Sequence, residues 1–351
     1  MKVVHIVEAF GGGIITFIKN LTEGLDYEHT IFYAQREISI DEIKKQFKSN
    51  IKFINWTYAN REISIYKDIK AAIELYNFLK TDDFDVIHLH SSKAGVIGRV
   101  VGLFFLDKTI IYTPNGASFA RKDISSLKVY IYKFIEFFVS LISGNVVCVS
   151  NSEAILFNNL GVKSIYINNG IKIKNKNKPK KNSQNFKIIT VGRISNQKDP
   201  YSFNRIAQEF IEYPVDFLWV GDGELRDILS SPNIFVTGWL SSVEVEEKLL
   251  DSDLYISTAL WEGLPFAVLE AMNCKLPLLL SECIGNVDLV ENDTNGYIFK
   301  TEKEAIAYIS KYINSYKTLK VHGDNSYRKL RNEFDVNKMC DEYKAVYRMK
   351  L

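Results

Sequence analysis

Short apolar runs alternate along the chain with longer segments in which apolar residues recur at helical spacing. The runs at 3–7, 86–89 and 254–257 are largely apolar, which is typical of strands buried on both faces of a parallel sheet. The segments at 63–80 and 243–250 carry the pattern of helices. Regular alternation of this kind predicts an α/β fold with parallel sheets.

The remaining elements continue the alternation. Further strands are predicted at 31–34, 51–54, 109–112, 146–149, 165–167, 186–191, 217–220, 234–237 and 277–280. Further helices are predicted at 127–142, 265–272, 302–316 and 337–348, with one more that ends near residue 25. A polar segment rich in lysine and asparagine, 172–185, interrupts the series and is predicted to be an exposed linker.

Length and composition favour two globular domains. A chain of 351 residues is too long for one typical domain, so we expect domains at 1–171 and 186–336, on either side of the linker. Hydrophobic residues make up 46% of the chain and charged residues 25%, which are ordinary globular values. The net charge of +2 is no nucleic-acid signature, so no nucleic-acid partner is expected.

Cysteine usage and hydropathy predict a cytoplasmic protein. The four cysteines have neither the CxxC spacing of a zinc site nor a disulfide pattern, which fits a reducing compartment: Cys148, Cys274, Cys283 and Cys340. The apolar run at 3–7 is too short for a signal peptide. No run of about 18 apolar residues occurs, so no transmembrane helix is predicted.

One strand–turn–helix segment suits the binding of an anionic ligand. The strand at 254–257 leads into a polar turn, and Pro265 stands where a first helical residue is expected. A turn that ends at a helix N-terminus presents backbone N–H groups, which attract phosphate. Glu262 lies in the turn and Glu270 about five residues into the helix, roughly 8 Å along its axis. Because carboxylates accept paired O–H donors, this unit suits a pyrophosphate flanked by sugar hydroxyls.

This segment also carries a family motif. Trp261-Glu-Gly-Leu-Pro-Phe-Ala-Val-Leu-Glu-Ala-Met272 resembles the donor-site motif of the retaining GT-B glycosyltransferases of family 4 (glycosyl transferases group 1). The resemblance implies two Rossmann-like domains that face an interdomain cleft, with the acceptor in the first domain and a nucleotide-diphosphate sugar in the second. It also implies a C-terminal helix, about 337–351, that packs back on the first domain. A solvated βα turn without a ligand is the alternative.

Another segment of the second domain also resembles a donor-site motif. Gly192-Arg-Ile-Ser-Asn-Gln-Lys198 follows a strand and resembles a motif whose cations, Arg193 and Lys198, clamp the pyrophosphate. A salt-bridged surface loop is the alternative. The resemblance also implies that Glu262 orients the sugar and Glu270 binds the ribose. It assigns the diphosphate to the backbone of Gly263, Leu264, Pro265 (which has no N–H) and Phe266, and the nucleobase to Leu240.

The first domain resembles the acceptor half of such an enzyme. The resemblance places Gly12 and Gly13 near the donor phosphate and the acceptor, although a tight strand–helix turn explains these glycines equally well. His88-Leu-His-Ser-Ser-Lys-Ala-Gly95 resembles a segment on the acceptor side, and we expect His90 and Lys93 at the exposed end of its strand.

Asn115 stands where many members of the family have a histidine that contacts the transferred sugar. Its amide cannot take a proton near pH 7, so a general-base role at this position is in doubt. The resemblance implies a same-face mechanism in which the leaving phosphate oxygen helps to deprotonate the acceptor. In that mechanism Asn115 orients the sugar or its phosphate.

Neither a metal ion nor a cofactor is expected. His88 and His90 share a strand face only if the strand runs through both, and we expect it to end between them, with no third ligand candidate nearby. A buried, hydrogen-bonded ring is the expected role of His88. Two Asp-x-Asp sequences, at 83–85 and 251–253, precede buried strands, at the sheet edge opposite to ligand chemistry. We therefore expect both to be structural.

The segment 127–142 is rich in aromatic residues and carries only Lys128, Lys133 and Glu136 as charges. We favour a mostly buried helix. The alternative is a membrane-contacting face that receives a lipid-linked acceptor, at the inner face of the plasma membrane.

Together the motifs predict a glycosyltransferase that moves a sugar from a nucleotide-diphosphate sugar, with uridine the expected base, to a saccharide or lipid-linked saccharide acceptor of a cell-surface polysaccharide. Two alternatives stay open: a nucleotide-sugar epimerase or phosphorylase on the same fold, and a catalytically silent interaction protein. The sequence context of Glu262 and Glu270 favours a transferase. The presence of both acidic residues together with Arg193 and Lys198 argues against a silent protein.

Overall fold

The structure is a computed structural model that describes residues 1–35, 39–60, 64–175 and 185–349. Part of the predicted linker, 176–184, lies outside these residues, as do residue 63 of a predicted helix and residues 350–351. The chain divides into two compact units. The first unit comprises Met1–Ala120, Ile124–Gly170 and the C-terminal segment from Val336, and the second comprises Arg121–Asp123 and Ile171–Asp335.

The first unit is a parallel sheet covered by helices. Its strands are β1 (Lys2–Val7), β2 (Glu28–Tyr33), β3 (Lys52–Asn55), β4 (Val86–His90), β5 (Thr109–Thr113), β6 (Asn145–Cys148) and β7 (Ser164–Tyr166). Its helices are α1 (Gly13–Gly24), α2 (Ile40–Lys44), α3 (Ile65–Leu79), α4 (Ser92–Gly102), α5 (Ser126–Ser140) and α6 (Asn151–Asn159), together with a C-terminal helix described below.

Within the described residues, the strands of the first unit lie in the order β3-β2-β1-β4-β5-β6-β7, and each neighbouring pair is parallel. The strand order reverses between β1 and β4, where the register pairs Val3 with Val86 and Val7 with His90. The carboxyl ends of β1 and β4 therefore lie side by side, and the loops that follow them diverge from this point. Both strands are buried along nearly their whole length, which explains their largely apolar sequences.

The second unit repeats this architecture. Its strands are β8 (Phe186–Val191), β9 (Val215–Val220), β10 (Ile234–Val236), β11 (Leu254–Ser257), β12 (Leu278–Ser281) and β13 (Gly296–Phe299). Its helices are α7 (Pro200–Gln208), α8 (Ser242–Leu250), α9 (Phe266–Asn273), α10 (Asn286–Leu289), α11 (Glu302–Ile313) and α12 (Tyr316–Glu333). The strand order is β10-β9-β8-β11-β12-β13, all parallel, and it reverses between β8 and β11. The predicted α/β fold with two Rossmann-like units is thus confirmed.

Two helices near the C-terminus pack through small residues. The sequence pattern did not predict α12, because the face that it buries includes Gly323 and Ser326 instead of a continuous apolar stripe. A Cβ at Gly323 would overlap the Lys275 carbonyl oxygen, so this helix lies close against that backbone. The last helix, α13 (Val336–Arg348), belongs to the first unit, where Cys340 packs against Gly24 of α1.

Helix α5 contradicts the expectation of a mostly buried helix. Its buried residues are Glu136 and Val139, and most of its large apolar side chains are exposed. The physical reason is that α3, α4 and α6 already cover the sheet on this side, and α5 packs on α4 and on the short 3-10 turn Ser118–Ala120. Among the helices of the described residues, none has the length and apolarity needed to cross a bilayer.

Candidate active site

The predicted donor-site residues of the second unit follow β8 and β11, the two strands between which the strand order reverses. The loops after these strands are tied to each other by hydrogen bonds. The backbone N–H of Leu260 donates to the Gln197 carbonyl oxygen at 2.8 Å, and the Thr258 hydroxyl donates to the Lys198 carbonyl oxygen at 2.7 Å. Ligands of open α/β sheets bind at this kind of reversal point. The two loops therefore form a candidate site.

Lys198 and Glu262 form an ion pair across these loops. Lys198 Nζ lies 2.5 Å from Glu262 Oε1, and only 9% of the Glu262 side chain is exposed. The amide of Gln197 donates to the second Glu262 carboxylate oxygen at 3.4 Å and to the Trp261 carbonyl oxygen at 2.9 Å. The sequence predicted Lys198 and Glu262 but missed Gln197, which lies inside the Arg193–Lys198 motif and carries no charge to single it out.

The charges around Lys198 keep it cationic. Burial alone would lower the pKa of the Lys198 ammonium. The negative charge of Glu262, the hydrogen bond that Lys198 donates to it, and the effects of Tyr255 and Cys283 together outweigh burial, so the pKa is raised. Burial, with Glu262 as a second cause, raises the pKa of the Cys283 thiol to about 12, so this cysteine stays neutral. The site thus presents a fixed positive charge that can face an anionic ligand group.

Close backbone packing holds the loop that carries Glu262. Gly285 has φ +80°, and a Cβ at this position would overlap the Gly263 carbonyl oxygen and lie 3.3 Å from Glu262 Cβ. The Ser281 hydroxyl donates to the Ala259 carbonyl oxygen at 2.5 Å, which joins the loop after β12 to the loop after β11. Gly285 and Ser281 are thus positioning residues that sequence reasoning missed, although a glycine after a strand was a usable signal.

Glu270 lies on α9, and this helix begins one residue later than predicted. Pro265 has ψ 120° and is the residue that precedes the helix, not its first residue, so α9 begins at Phe266. The carboxyl of Glu270 is largely buried, which raises its pKa to about 7; Lys174 lowers that pKa and Glu246 raises it further. Burial therefore makes Glu270 harder to ionise than an exposed glutamate.

The other predicted donor residues lie on the same edge of the second sheet. Arg193 follows β8 with an exposed side chain, and Leu240, after β10, is half-buried. Gly263, Leu264 and Pro265 are buried, and Phe266 is half-buried at the start of α9. The roles predicted for these residues stay predictions.

In the first unit, Gly12 lies in the loop after β1 and Asn115 in the loop after β5. Both loops are at the carboxyl edge of the sheet. Gly12 is exposed, has φ +53°, and precedes Gly13, the first residue of α1. Asn115, after β5, has φ +55°, a conformation that asparagine tolerates better than most residues, and its amide donates to the Thr113 carbonyl oxygen at 3.2 Å.

The loop that carries Asn115 is held by a buried carboxyl that sequence reasoning missed. Glu153 accepts hydrogen bonds from the backbone N–H groups of Gly116 at 2.8 Å and Val149 at 3.0 Å. Burial raises the pKa of Glu153 to about 7, against the lowering effect of these backbone donors. Glu153 thereby links the loops after β5 and β6. In the sequence, Glu153 stands in a segment interpreted as the cap of a helix, so its contact with the loop after β5 was not predicted.

His90 and Lys93 were expected at the exposed end of their strand, and this prediction is wrong. β4 continues through His90, which is fully buried, and His90 Nε2 lies 3.0 Å from His5 Nδ1 on the neighbouring strand β1. Burial lowers the pKa of His90 well below its ordinary value and keeps the ring neutral. Lys93 is mostly buried and pairs with Asp68, with Nζ and Oδ1 2.6 Å apart. The buried ring of His90 cannot contact a ligand directly in this conformation.

A third histidine lies beside His88 and His90, contrary to the expectation of no further ligand candidate. One ring nitrogen from each of His5, His88 and His90 lies within 4.8 Å of the others, a grouping that could hold a metal ion. These rings already have partners: His5 Nε2 lies 3.1 Å from His29 Nδ1, and His88 lies 2.8 Å from the Thr113 hydroxyl and 2.7 Å from the Tyr347 hydroxyl. The histidines therefore form a buried hydrogen-bonded cluster.

Comparison with known proteins identifies two family models that match the chain in succession. The model described as Glycosyltransferase Family 4 matches residues 11–175, and the model described as Glycosyl transferases group 1 matches residues 171–329. Together these two matches extend over most of both units.

Individual relatives are similar over most of their length. The UDP-Gal:alpha-D-GlcNAc-diphosphoundecaprenol alpha-1,3-galactosyltransferase of Escherichia coli is 29% identical over 82% of this chain and 81% of its own. The O-antigen biosynthesis glycosyltransferase WbnH of Escherichia coli is 26% identical over 81% and 82%. The structure of Alr3699/HepE from Anabaena in complex with UDP and glucose matches with a TM-score of 0.79 over 98% of both chains at 14% identity, a likeness of fold alone.

Proposed function

Because the chain is a glycosyltransferase of the GT-B fold, we propose that it transfers a sugar from a UDP-sugar, with retention of anomeric configuration, to a lipid-linked saccharide. The observation that carries this proposal is the Lys198–Glu262 ion pair, at the strand-order reversal of the second unit. The uridine diphosphate and the lipid-linked acceptor are supported by the galactosyltransferase relative, whose donor is UDP-Gal and whose acceptor is alpha-D-GlcNAc-diphosphoundecaprenol.

The second unit would hold the donor. Arg193 and Lys198 bind the diphosphate, together with the backbone N–H groups of Gly263, Leu264 and Phe266 at the start of α9. Leu240 contacts the base and Glu270 accepts from the ribose hydroxyls. Glu262 accepts from the sugar hydroxyls, so Lys198 is shared between this carboxylate and the diphosphate when the donor is bound. The cations stabilise the negative charge that grows as the nucleotide departs.

The transfer step needs no general base from the protein. The bond between the anomeric carbon and the diphosphate oxygen breaks, and its electron pair leaves with the diphosphate. The acceptor oxygen bonds to the anomeric carbon on the same face, and its proton passes to the departing phosphate oxygen. Asn115 cannot take that proton, and its amide orients the sugar or its phosphate. Gly12, Gly13 and Lys93 belong to the proposed acceptor side.

We place the reaction in cell-surface polysaccharide assembly at the cytoplasmic face of the membrane. The support is the O-antigen assignment of one relative and the diphosphoundecaprenol acceptor of another. A lipid-linked acceptor stays with the bilayer, so the enzyme would have to contact a membrane surface during turnover.

The proposal is tested by incubating the chain with a panel of UDP-, GDP- and ADP-sugars, with and without a lipid-diphosphate N-acetylglucosamine acceptor. We expect acceptor-dependent release of UDP and a product with the donor's anomeric configuration. Glu262→Ala and Arg193→Ala should lose most of this turnover, whereas Arg205→Ala, which breaks a surface pair with Glu302 (2.6 Å), should retain it.

Three outcomes would contradict the proposal. Conversion of the donor to another sugar without UDP release would indicate an epimerase, and complete inactivity with every donor would favour a silent interaction protein. A product of inverted configuration would contradict the retaining mechanism.

A further inference from the structure

Helix α5 presents a continuous apolar stripe to solvent. Leu127, Tyr130 and Phe134 are 70%, 69% and 63% exposed. The stripe, here called the α5 stripe, consists of Leu127, Tyr130, Ile131, Phe134, Phe138 and Leu141, the last of which directly follows the helix. At 3.6 residues per turn these six positions fall within about 100° of the helix circumference. A single face of α5 is therefore apolar and uncovered in this chain.

The opposite face of α5 is fixed to the first unit by a buried ion pair. Arg99 Nη2 lies 2.6 Å from Glu136 Oε2, and the Tyr112 hydroxyl donates to Glu136 Oε1 at 2.8 Å. Both members of the ion pair are at most 2% exposed. Leaving either charge unpaired in the interior would be costly, so this contact sets the rotation of the helix about its axis. The exposure of the α5 stripe follows from that rotation.

The charges left on the surface of α5 are both positive. Glu136 is the helix's one acidic residue and is turned inward, which leaves Lys128 and Lys133. Helical geometry places these lysines on opposite flanks of the α5 stripe, each about 110° from its midline. An apolar face bordered on both sides by lysines matches a bilayer surface, where apolar groups enter the acyl region and ammonium groups meet anionic headgroups.

A second apolar segment lies beside the end of α5. Phe104 and Leu106, in the loop after α4, are each 70% exposed. The Ser143 hydroxyl donates to the Arg99 carbonyl oxygen at 2.6 Å, which joins the segment after α5 to the last turn of α4. Phe104 packs edge-on against Tyr76 of α3, with ring centroids 5.2 Å apart. The loop after α4 thus carries further exposed apolar residues, and Ser143 ties the segment after α5 to the helix that precedes this loop.

We propose that the α5 stripe docks the protein on an anionic lipid bilayer, with Lys128 and Lys133 at the headgroups. The helix is 15 residues long, about 22 Å, and would lie in the plane of the membrane interface. This inference rests on the proposed function, because a lipid-linked acceptor gives the docking its purpose. The lysine flanks favour a lipid surface over a second copy of the chain, since a twofold contact along this stripe would bring like charges together.

Vesicle binding of the full-length chain tests this surface without any substrate. Co-sedimentation is measured with vesicles of phosphatidylcholine alone and of phosphatidylcholine with phosphatidylglycerol. We expect binding to the anionic vesicles, and a loss of about tenfold or more in Tyr130→Ser/Phe134→Ser. Lys128→Glu/Lys133→Glu should lose the preference for the anionic vesicles. Tyr213→Ser/Tyr316→Ser, which changes exposed aromatic residues of the second unit (58% and 78%), should bind as the unchanged chain does.

The other outcomes separate docking from catalysis. UDP release from the donor with a water-soluble acceptor analogue should be equal in the unchanged chain and in the stripe variants, since none of these residues lies in the donor site. Failure of the unchanged chain to bind anionic vesicles would overturn the docking proposal even if it transfers sugar. A dimer in sedimentation velocity that the stripe substitutions dissociate, without vesicle binding, would assign the surface to a second copy.

Discussion

Lys198 Nζ and Glu262 Oε1 lie 2.5 Å apart, although 64 residues separate them in the sequence. Each follows a different strand of one parallel sheet, and the two strands are hydrogen-bonded neighbours at the point where the strand order reverses. A cation and an acid with little exposure to solvent are therefore held together at the sheet edge where ligands of such folds bind.

Removal of the cation should affect both stability and turnover. Lys198→Met leaves Glu262 buried without its ion pair, so we expect the free energy of unfolding to fall by about 2–4 kcal/mol. Loss of charge stabilisation for the departing nucleotide should lower kcat/KM for the donor by roughly 10²–10³-fold. Urea titration and initial rates of UDP release measure these two effects.

A second lysine–carboxylate pair of the same unit supplies the control. Lys187, near the other end of β8, pairs with Asp251 at the same 2.5 Å distance but is more exposed. Lys187→Met should change stability by less than about 1 kcal/mol and leave donor kinetics intact. Equal losses of activity in the two variants would count against a donor role for Lys198.

A methyl group at Gly285 should disturb the loop that carries Glu262. Gly285→Ala places a Cβ against the Gly263 carbonyl oxygen in a left-handed conformation, so we expect a loss of about 1–3 kcal/mol in unfolding free energy and a lower kcat/KM for the donor. Gly11→Ala is the stability control, because a Cβ there has no neighbour within 4 Å among the described residues. Thermal melts that do not distinguish the two variants would refute this packing argument.

Glu270 should make the protein less stable as the pH rises. Burial raises its folded-state pKa to about 7, above the unfolded value near 4.5, so the folded state holds its proton more tightly than the unfolded state. Stability is therefore lost as pH rises from about 4.5 to 7, by about 3 kcal/mol. Glu270→Gln should remove that loss, measured as the difference in urea midpoint between pH 5 and pH 8. An unchanged difference would show that Glu270 ionises normally.

His29 should have the opposite pH dependence. Burial lowers its folded-state pKa to about 4, below the unfolded value of 6.5, so the unfolded state takes up the proton first on acidification. Stability is lost as pH falls from about 6.5 to 4, by about 3 kcal/mol for this group. His29→Gln should flatten that part of the stability profile. If the profile of the variant keeps its full slope, other groups are responsible.

The positions of the candidate residues in the fold agree with the sequence prediction more closely in the second unit than in the first. Arg193, Lys198 and Glu262 lie on short loops after strands, and Glu270 lies on the helix that follows one of these loops. At such places, residue type and position after a strand carry the information. His90 was expected to be exposed because β4 was expected to end before it, but pairing with β1 and β5 extends the strand. Register is set by the neighbouring strands, so a single strand's sequence does not reveal it.

The sequence alone determined the alternation of strands and helices, the α/β class and the enzyme class, because apolar periodicity and short motifs are local properties of the chain. Only the tertiary structure decided which distant side chains meet: Lys198 with Glu262, His5 with His90, and Arg99 with Glu136. It also turned the apolar face of α5 to solvent. The physical reason is that a helical or strand pattern marks a side that can be buried, whereas the neighbouring elements determine whether anything covers that side.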